Sequence, residues 1–364
     1  MNKPKVISLF SGCGGLDLGF HLEGYETVWA NDINEYAAET FKKYFGEVIT
    51  TQDVETIDPY TDKKIPSCDL ILGGFPCQDF SIIWKQPGLN GSRGNLYKSF
   101  LRFVDAKKPR AFVAENVKGI LTANKQLAIQ QIISDFENIN PGYLVKVQLY
   151  NFAEYGVPQF RERVLIVGVK MDTDFEFFHP RPTHGPFGNL PYFTAGQALE
   201  GVENVEFNNE KLNIAQKTRD LLNLIPEGGN FTDIPKEHPL YVKGMISHVY
   251  RRITRNEPAK TIIAAGGGGT WGYHYPEPRP LTNRERARLQ TFPDDFQFYG
   301  SISEVRRQIG NAVPPNGVRE TARALMPLFN GDYQRTDLRT LDIELKLLSI
   351  KERIQYDSRN NERE

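Results

Sequence analysis

The sequence predicts an α/β chain, with a doubly wound and mostly parallel sheet followed by a smaller irregular domain of mixed β character. Three observations carry this. Short β-branched runs alternate with helical patterns through the first half. Those runs are continuously apolar, as strands buried on both faces are. The regular alternation then stops near Lys170.

The strand-like runs are "KVISLF", "ETVWAND", "CDLILGG", "AFVAENV", "YLVKVQLY" and "RVLIVGV", bounded by Gly, Pro or Asn. Amphipathic stretches such as "NEYAAETFKKYF" and "NLYKSFLRFVDAKKP" supply covering helices. After Lys170, "HPRPTHGPFGNLP" is too rich in Pro and Gly for a regular element. Periodicity stays weak to about residue 280, with short β-like pieces and four consecutive glycines. Helical patterning resumes at "TNRERARLQTF" and "NGVRETARALMPLF", and a charged helix and polar tail close the chain. The expected divisions are 1–175 completed by 300–330, then 176–280, a hinge at 281–299 and a peripheral 331–364.

Of 364 residues, 40% are hydrophobic and 24% charged, the profile of a soluble globular protein. No apolar run approaches the roughly 20 residues needed to span a bilayer. The N-terminus enters a strand without a signal-peptide pattern, and three cysteines form no CxxC pair. A reducing, cytoplasmic setting follows as the expectation. Net charge is −1, but residues 1–60 hold four Lys against ten Asp or Glu, a balance of −6. Residues 251–290 hold eight Lys or Arg against three Glu, a balance of +5. That asymmetry permits a nucleic-acid face late in the chain; a solvated helix surface is the alternative.

"FSGCGGLDLGF" follows the first strand and opens a helical pattern. Gly12, Gly14 and Gly15 allow unusual dihedrals and close ligand approach, and a helix N-terminus favours negative charge. Asp32, twenty residues after Gly12, ends the second strand and suits the vicinal hydroxyls of a ribose. The spacing is G-x-G-G, so a dinucleotide is not specifically indicated. An adenosine-type cofactor and a plain strand–helix turn both remain open.

"GGFPCQDFSIIW" puts Cys77 just past an apolar strand, where open α/β sheets keep their ligand crevice. A lone cysteine is often a small buried hydrophobe, yet Pro76 and the polar Gln78, Asp79 and Ser81 are not core composition. A nucleophile there needs thiolate character. Glu115 of "AENV" ends the next strand and should emerge on the same edge. A half-buried carboxyl at that point tends towards a raised pKa and can donate a proton; a strand-capping ion pair is the other reading. "VPQFRERV" adds Gln159, Arg161 and Arg163. The two arginines share a face if extended and can grip a carbonyl or phosphate, or pair with surface acids.

Taken in order, "FSGCGGLDLGF", "GGFPCQDFS", "ENV", "QFRER", "RERARLQTFPDDF" and "QIGNAVPPNGV" resemble the motifs of the DNA (cytosine-5)-methyltransferases, bacterial modification methylases included. They span residues 10 to 318. The resemblance implies a Rossmann-like methyltransferase sheet at 1–175 and 300–330, a target-recognition domain at 176–280, and S-adenosyl-L-methionine as cofactor. Phe10, Gly12 and Gly14 would line the cofactor, Asp32 hold its ribose and Asp53 meet its adenine amino group. Gly15, Leu16, Ile33, Val54 and Phe75 complete that set, and Asn311 and Val313 would close the methionine end.

The resemblance further implies Cys77 as nucleophile, Glu115 as acid at cytosine N3 and Arg163 as donor to O2, supported by Gln159 and Arg161. Thiolate attack at carbon 6 makes carbon 5 nucleophilic enough to accept a methyl group, and the base must leave the duplex first. Double-stranded DNA is the implied partner. Its contacts are expected from Ser81, Thr261, Arg251, Arg252, Arg255, Gly267, Gly268 and Trp271. Ile83 and Trp84 stand where the family usually has small residues; one of them would fill the gap left by the flipped base, or Trp84 would pack beneath the loop. A cognate restriction endonuclease, a monomeric state and work at the bacterial nucleoid complete the expectation. An RNA cytosine methyltransferase, a catalytically silent DNA binder and a nucleotide-dependent oxidoreductase are the rivals.

Overall fold

The structure, a computed structural model, describes residues 3–76, 96–241, 249–264, 272–338 and Glu352. Two compact units divide it. One is Met1–Asn151 with Glu162–Arg181 and Val318–Glu364, the other Phe152–Arg161 with Pro182–Gly317.

In the first unit the chain forms β1 (Lys5–Leu9), α1 (Gly15–His21), β2 (Glu26–Asn31), α2 (Glu35–Phe45), β3 (Ile49–Thr50) and β4 (Leu70–Gly73). There follow α3 (Leu96–Lys107), β5 (Ala111–Val117), α4 (Leu127–Glu137) and β6 (Tyr143–Asn151). After β7 (Gln159–Phe160), which lies in the other unit, comes β8 (Glu162–Lys170). Seven strands make one sheet in the order β3-β2-β1-β4-β5-β8-β6. All pairings are parallel except those of β8, which is antiparallel to both neighbours. The six runs read as strands are all strands. β3, two residues at the sheet edge, is too short to read from sequence. The reversal of β8 follows from its connection, since Phe152–Arg161 contains no crossover helix of the kind a parallel return needs.

Strand order reverses between β1 and β4, so the loops after β1, β2, β4 and β5 open on one edge of the sheet. Ile7, Leu9, Ile71, Phe100, Phe103, Phe112, Ile132 and Phe136 form the core beneath them. Phe112 lies opposite Gly168 in the β5–β8 ladder, where a Cβ on Gly168 would come within 2.0 Å of its ring. Glycine is required there by the ring, not by the turn.

The second unit holds α5 (Ala195–Leu199), α6 (Gln216–Asn223), β9 (Ala259–Lys260), α7 (Asn283–Leu289) and α8 (Ile302–Asn311). α9 (Pro315–Asn330) begins here and continues into the first unit's residues. Among the described residues, its β structure is the two-residue β7–β9 ladder and isolated bridges such as Arg252 with Tyr273. The irregular character is as anticipated, with less strand than "mixed β" suggests. By contacts, residues 300–317 group with this second unit and not with the sheet, as do Phe152–Arg161. Most of the tail after Leu338 lies outside the described residues. No helix among the described residues is long and apolar enough to cross a membrane.

Candidate active site and cofactor loop

The loop after β1 is built by backbone conformations that side chains disfavour. Phe10, Gly12 and Gly14 have φ of 54°, 56° and 91°. Gly14 caps α1, and a Cβ there would sit 2.5 Å from the Phe45 ring. At Gly12 the same construction meets nothing within 4 Å, so the loop is open on that side. Asp32, at the end of β2, accepts the Gly12 N–H on Oδ2 at 2.8 Å and the Asn34 N–H on Oδ1 at 2.9 Å. One carboxylate thereby fixes the glycine loop and the start of α2. Ile33 is 69% exposed beside it.

The Asp53 turn is brought to the same region by Asn31. Its buried amide donates to Thr50 O at 3.1 Å and Gln52 O at 2.7 Å, so β2 and the turn end together. Asp53 is exposed and its Oδ1 accepts the Glu55 N–H at 3.0 Å; Val54 behind it is buried. Gly15 and Leu16 are buried in the first turn of α1. Phe75 points into the core with Phe100 at 5.9 Å between ring centres, while its carbonyl accepts the buried Asn116 amide at 2.9 Å.

At the end of β5, Arg163 Nε lies 2.8 Å from Glu115 Oε1, both side chains little exposed. The ladder makes this contact. Val117 faces Arg163 and Glu115 faces Leu165, so Glu115 and Arg163 are diagonal neighbours on one face. A Cβ on Gly74 would come within 3.1 Å of Glu115 Oε2, so the glycine after β4 leaves room for the carboxylate. Cys77 follows three residues later and lies outside the described residues, as do Gln78, Asp79, Ser81, Ile83, Trp84, Gly267, Gly268 and Trp271.

Gln159 and Arg161 do a different job from Arg163. Gln159 is fully buried; its Oε1 accepts the Ile262 N–H at 2.7 Å, and its Nε2 donates to Leu289 O and to Gln290 Oε1. Arg161, also buried, donates to the carbonyls of Ile262, Gly310 and Ala312 at 3.1, 3.0 and 3.1 Å. Arg161 directs these donors to main-chain carbonyls while Arg163 meets the Glu115 carboxylate, so the two do not act as one paired grip. Their separation has a cause: Arg161 ends the short second-unit segment, and Arg163 enters the long sheet strand. Gln290 was missed by the sequence reading. Its amide reaches Ile309 O at 2.6 Å, and nothing in "RLQTF" marks that glutamine as buried.

The same network tethers further predicted residues. Thr261 is exposed, with Oγ1 donating to Phe160 O at 2.8 Å. Asn311 ends α8 with an exposed side chain, while Val313 is buried.

The arginines of the basic stretch 251–290 are mostly buried or ion-paired. Arg252 is buried and donates to the carbonyls of His274, Leu222 and Ile225 at 3.1, 3.1 and 2.8 Å, and to that of Tyr275. It is a structural strut, not a DNA-facing cation. Arg284 and Arg286 are buried too, and burial holds the Arg286 guanidinium down to about 9. Arg255 pairs with Glu227 at 3.0 Å, Arg279 with Glu277 and Glu285, and Arg288 with Asp294. Arg251 is partly exposed. Most of the positive charge is therefore buried or matched inside the unit. A fold with so little β ladder leaves many backbone carbonyls to satisfy, and the five-donor guanidinium satisfies several at once. A count of charges cannot reveal that.

These sites lie on a protein matched over residues 4–326 by the family of C-5 cytosine-specific DNA methylases. The chain belongs to that family. The methylase is 68% identical to the type II methyltransferase M.NgoFVII of Neisseria gonorrhoeae, covering 97% of this chain and 94% of that one. It is 41% identical to M.BbvI of Brevibacillus brevis, over 88% and 90%. With the DNA (cytosine-5-)-methyltransferase M.ApeKI of Aeropyrum pernix identity is 32%, over 91% and 100%. Its fold is shared with solved structures of the S. pombe Dnmt2 methyltransferase, at TM-score 0.60, 17% identity, and 90% and 99% coverage. The Entamoeba histolytica methyltransferase EhMeth gives TM-score 0.62, 18% identity, and 92% and 100% coverage. This methylase is accordingly a DNA (cytosine-5)-methyltransferase with a seven-stranded, mostly parallel methyltransferase sheet.

Proposed function

We propose that the methylase modifies a cytosine flipped out of duplex DNA at one specific sequence, as the modification partner of a restriction endonuclease. The Glu115–Arg163 pair beside Gly74 carries this reading. It sets an acid and a fixed cation at the end of β5, beside Gly74, from which the chain leaves β4 for Cys77. Glu115 holds a proton at cytosine N3, Arg163 donates to O2 and orients Glu115, and the Cys77 thiolate adds to carbon 6. Removal of the carbon 5 proton and departure of Cys77 restore the ring after methylation.

S-adenosylmethionine supplies the methyl group. The residues fit it: the glycine loop is open at Gly12, Asp32 lies at the strand end where ribose hydroxyls are bound, and Ile33 offers an exposed apolar face to a base. Asp53 offers an exposed carboxylate to an adenine amino group. Residues 176–280 serve as the target-recognition lobe, and Thr261 contacts the extruded nucleotide. The enzyme works as a monomer at the nucleoid.

The test is expression in a bacterial host lacking cytosine methylation, followed by mapping of 5-methylcytosine, with Cys77→Ser as control. Methylation at one recurrent sequence, absent from the control, is the expected result. Methylation that survives in the control rejects Cys77, and none in either rejects the duplex DNA target.

A further inference from the structure

Polar side chains tie α3 to the stretch of chain that follows β3, and Arg102 makes the tie nearest to Asp53. Arg102 lies in the middle of α3, and its Nη2 donates to Val54 O at 2.9 Å and to Glu55 O at 3.4 Å. Two further ties lie along the same helix. The Tyr60 hydroxyl donates to Asp105 Oδ2, and Lys107 Nζ donates to Ile65 O at 2.9 Å.

The Asp53 turn needs such support. β3 is two residues long and its ladder with β2 ends at Thr50, so no sheet bond continues into the short helical turn Val54–Thr56. Asp53 Oδ1 is committed to the Glu55 N–H, and the Asp53 carbonyl accepts the Thr56 N–H and hydroxyl at 2.9 and 2.7 Å. The carboxylate therefore moves with the turn as one body. Asn31 holds that body on the β2 side through Gln52 O, and Arg102 holds it on the α3 side through the two carbonyls after Asp53. Among the described residues no hydrogen bond reaches Asp53 Oδ2, which leaves that oxygen to accept from a ligand.

We propose that Arg102 is a positioning residue of the cofactor site, which by fixing the carbonyls of Val54 and Glu55 aims the Asp53 carboxylate at the adenine amino group and so sets selectivity for an adenine base. An ionised carboxylate only accepts hydrogen bonds, so it favours a purine with an amino group at carbon 6 over one with a carbonyl oxygen there. That preference depends on a held geometry. A turn free to shift lets the carboxylate swing away from the wrong base, and the discrimination fades.

This inference rests on Asp53 reading the adenine, and calorimetric titration separates the two ideas. The Kd is measured for S-adenosylhomocysteine and for S-inosylhomocysteine, in which a carbonyl oxygen replaces the amino group. The unmodified protein is expected to bind the adenine ligand at least about tenfold more tightly, as a hydrogen bond to a charged group allows. Arg102→Met, which keeps the packing of the stem, is expected to bring that ratio down to about threefold or less. Arg102→Gln is the second variant should Met not fold, and melting temperatures are recorded alongside. A folded variant that keeps the full ratio overturns the inference, and so does equal weakening of both ligands, the mark of a merely structural role. An unmodified protein that binds the two ligands equally rejects Asp53 as the adenine contact, and one that binds neither rejects the cofactor site itself.

Discussion

Arg163 and Glu115 are diagonal neighbours across the β8–β5 ladder, joined at 2.8 Å on the one face of the sheet that both strands present. Their alignment depends on strand register, because a slip of one residue would turn Arg163 to the opposite face. Two side chains forty-eight positions apart in sequence are held by the most regular part of the fold.

Glu115→Gln is expected to keep the fold and DNA binding while methyl transfer falls by about 10²–10⁴, the range for loss of a positioned acid. Arg163→Ala is expected to match that loss and also to lower the melting temperature, because Glu115 keeps its burial without its cation. Single-turnover methylation and thermal unfolding, run side by side, distinguish them. A Gln variant with normal turnover rejects the role of Glu115.

Arg252→Ala should destabilise the second unit by about 2–4 kcal/mol, since four carbonyls lose a shared donor and a cavity opens. Denaturant unfolding measures this. The salt dependence of DNA binding by the remaining folded protein is expected to be unchanged, because a buried guanidinium releases no counterions from DNA. A smaller salt slope would return Arg252 to the DNA face.

Gly310→Ala tests the packing of α8. A Cβ there would lie 2.3 Å from the Ala264 backbone nitrogen, and backbone cannot swing aside as a side chain can. Overpacking of about 1–3 kcal/mol is expected, with reduced turnover through the linked Ile262 segment. Unaltered stability by calorimetry would show that the contact relaxes freely.

Asp17 gives stability a signed pH dependence. Its folded pKa of about 6 exceeds the ordinary 3.8, so the native state binds this proton more tightly than the unfolded chain does. The contribution is full below about pH 4 and is lost as pH rises through 6, about 3 kcal/mol in all. The difference in unfolding free energy between the natural protein and Asp17→Asn should therefore drift in favour of the Asn variant from pH 4.5 to 7. A flat difference would mean that Asp17 titrates normally.

The sequence by itself determined the sheet and its ligand edge. Six apolar runs became six strands, because continuous β-branched burial is a local signal, and glycines with Asp32 became a bonded loop because their spacing spans one βαβ turn. Glu115 and Arg163 were recognisable by type and motif. What only the tertiary structure decided was which polar side chains face inward. Arg161 and Arg163 differ by two positions and look alike, yet one braces Ile262, Gly310 and Ala312 while the other holds Glu115. Arg251 and Arg252 are adjacent, yet only the second is buried among carbonyls. In an irregular unit the acceptors that pull an arginine inward come from segments distant in sequence, and periodicity carries no record of them. Hydrophobic pattern is local information; hydrogen-bond satisfaction is not.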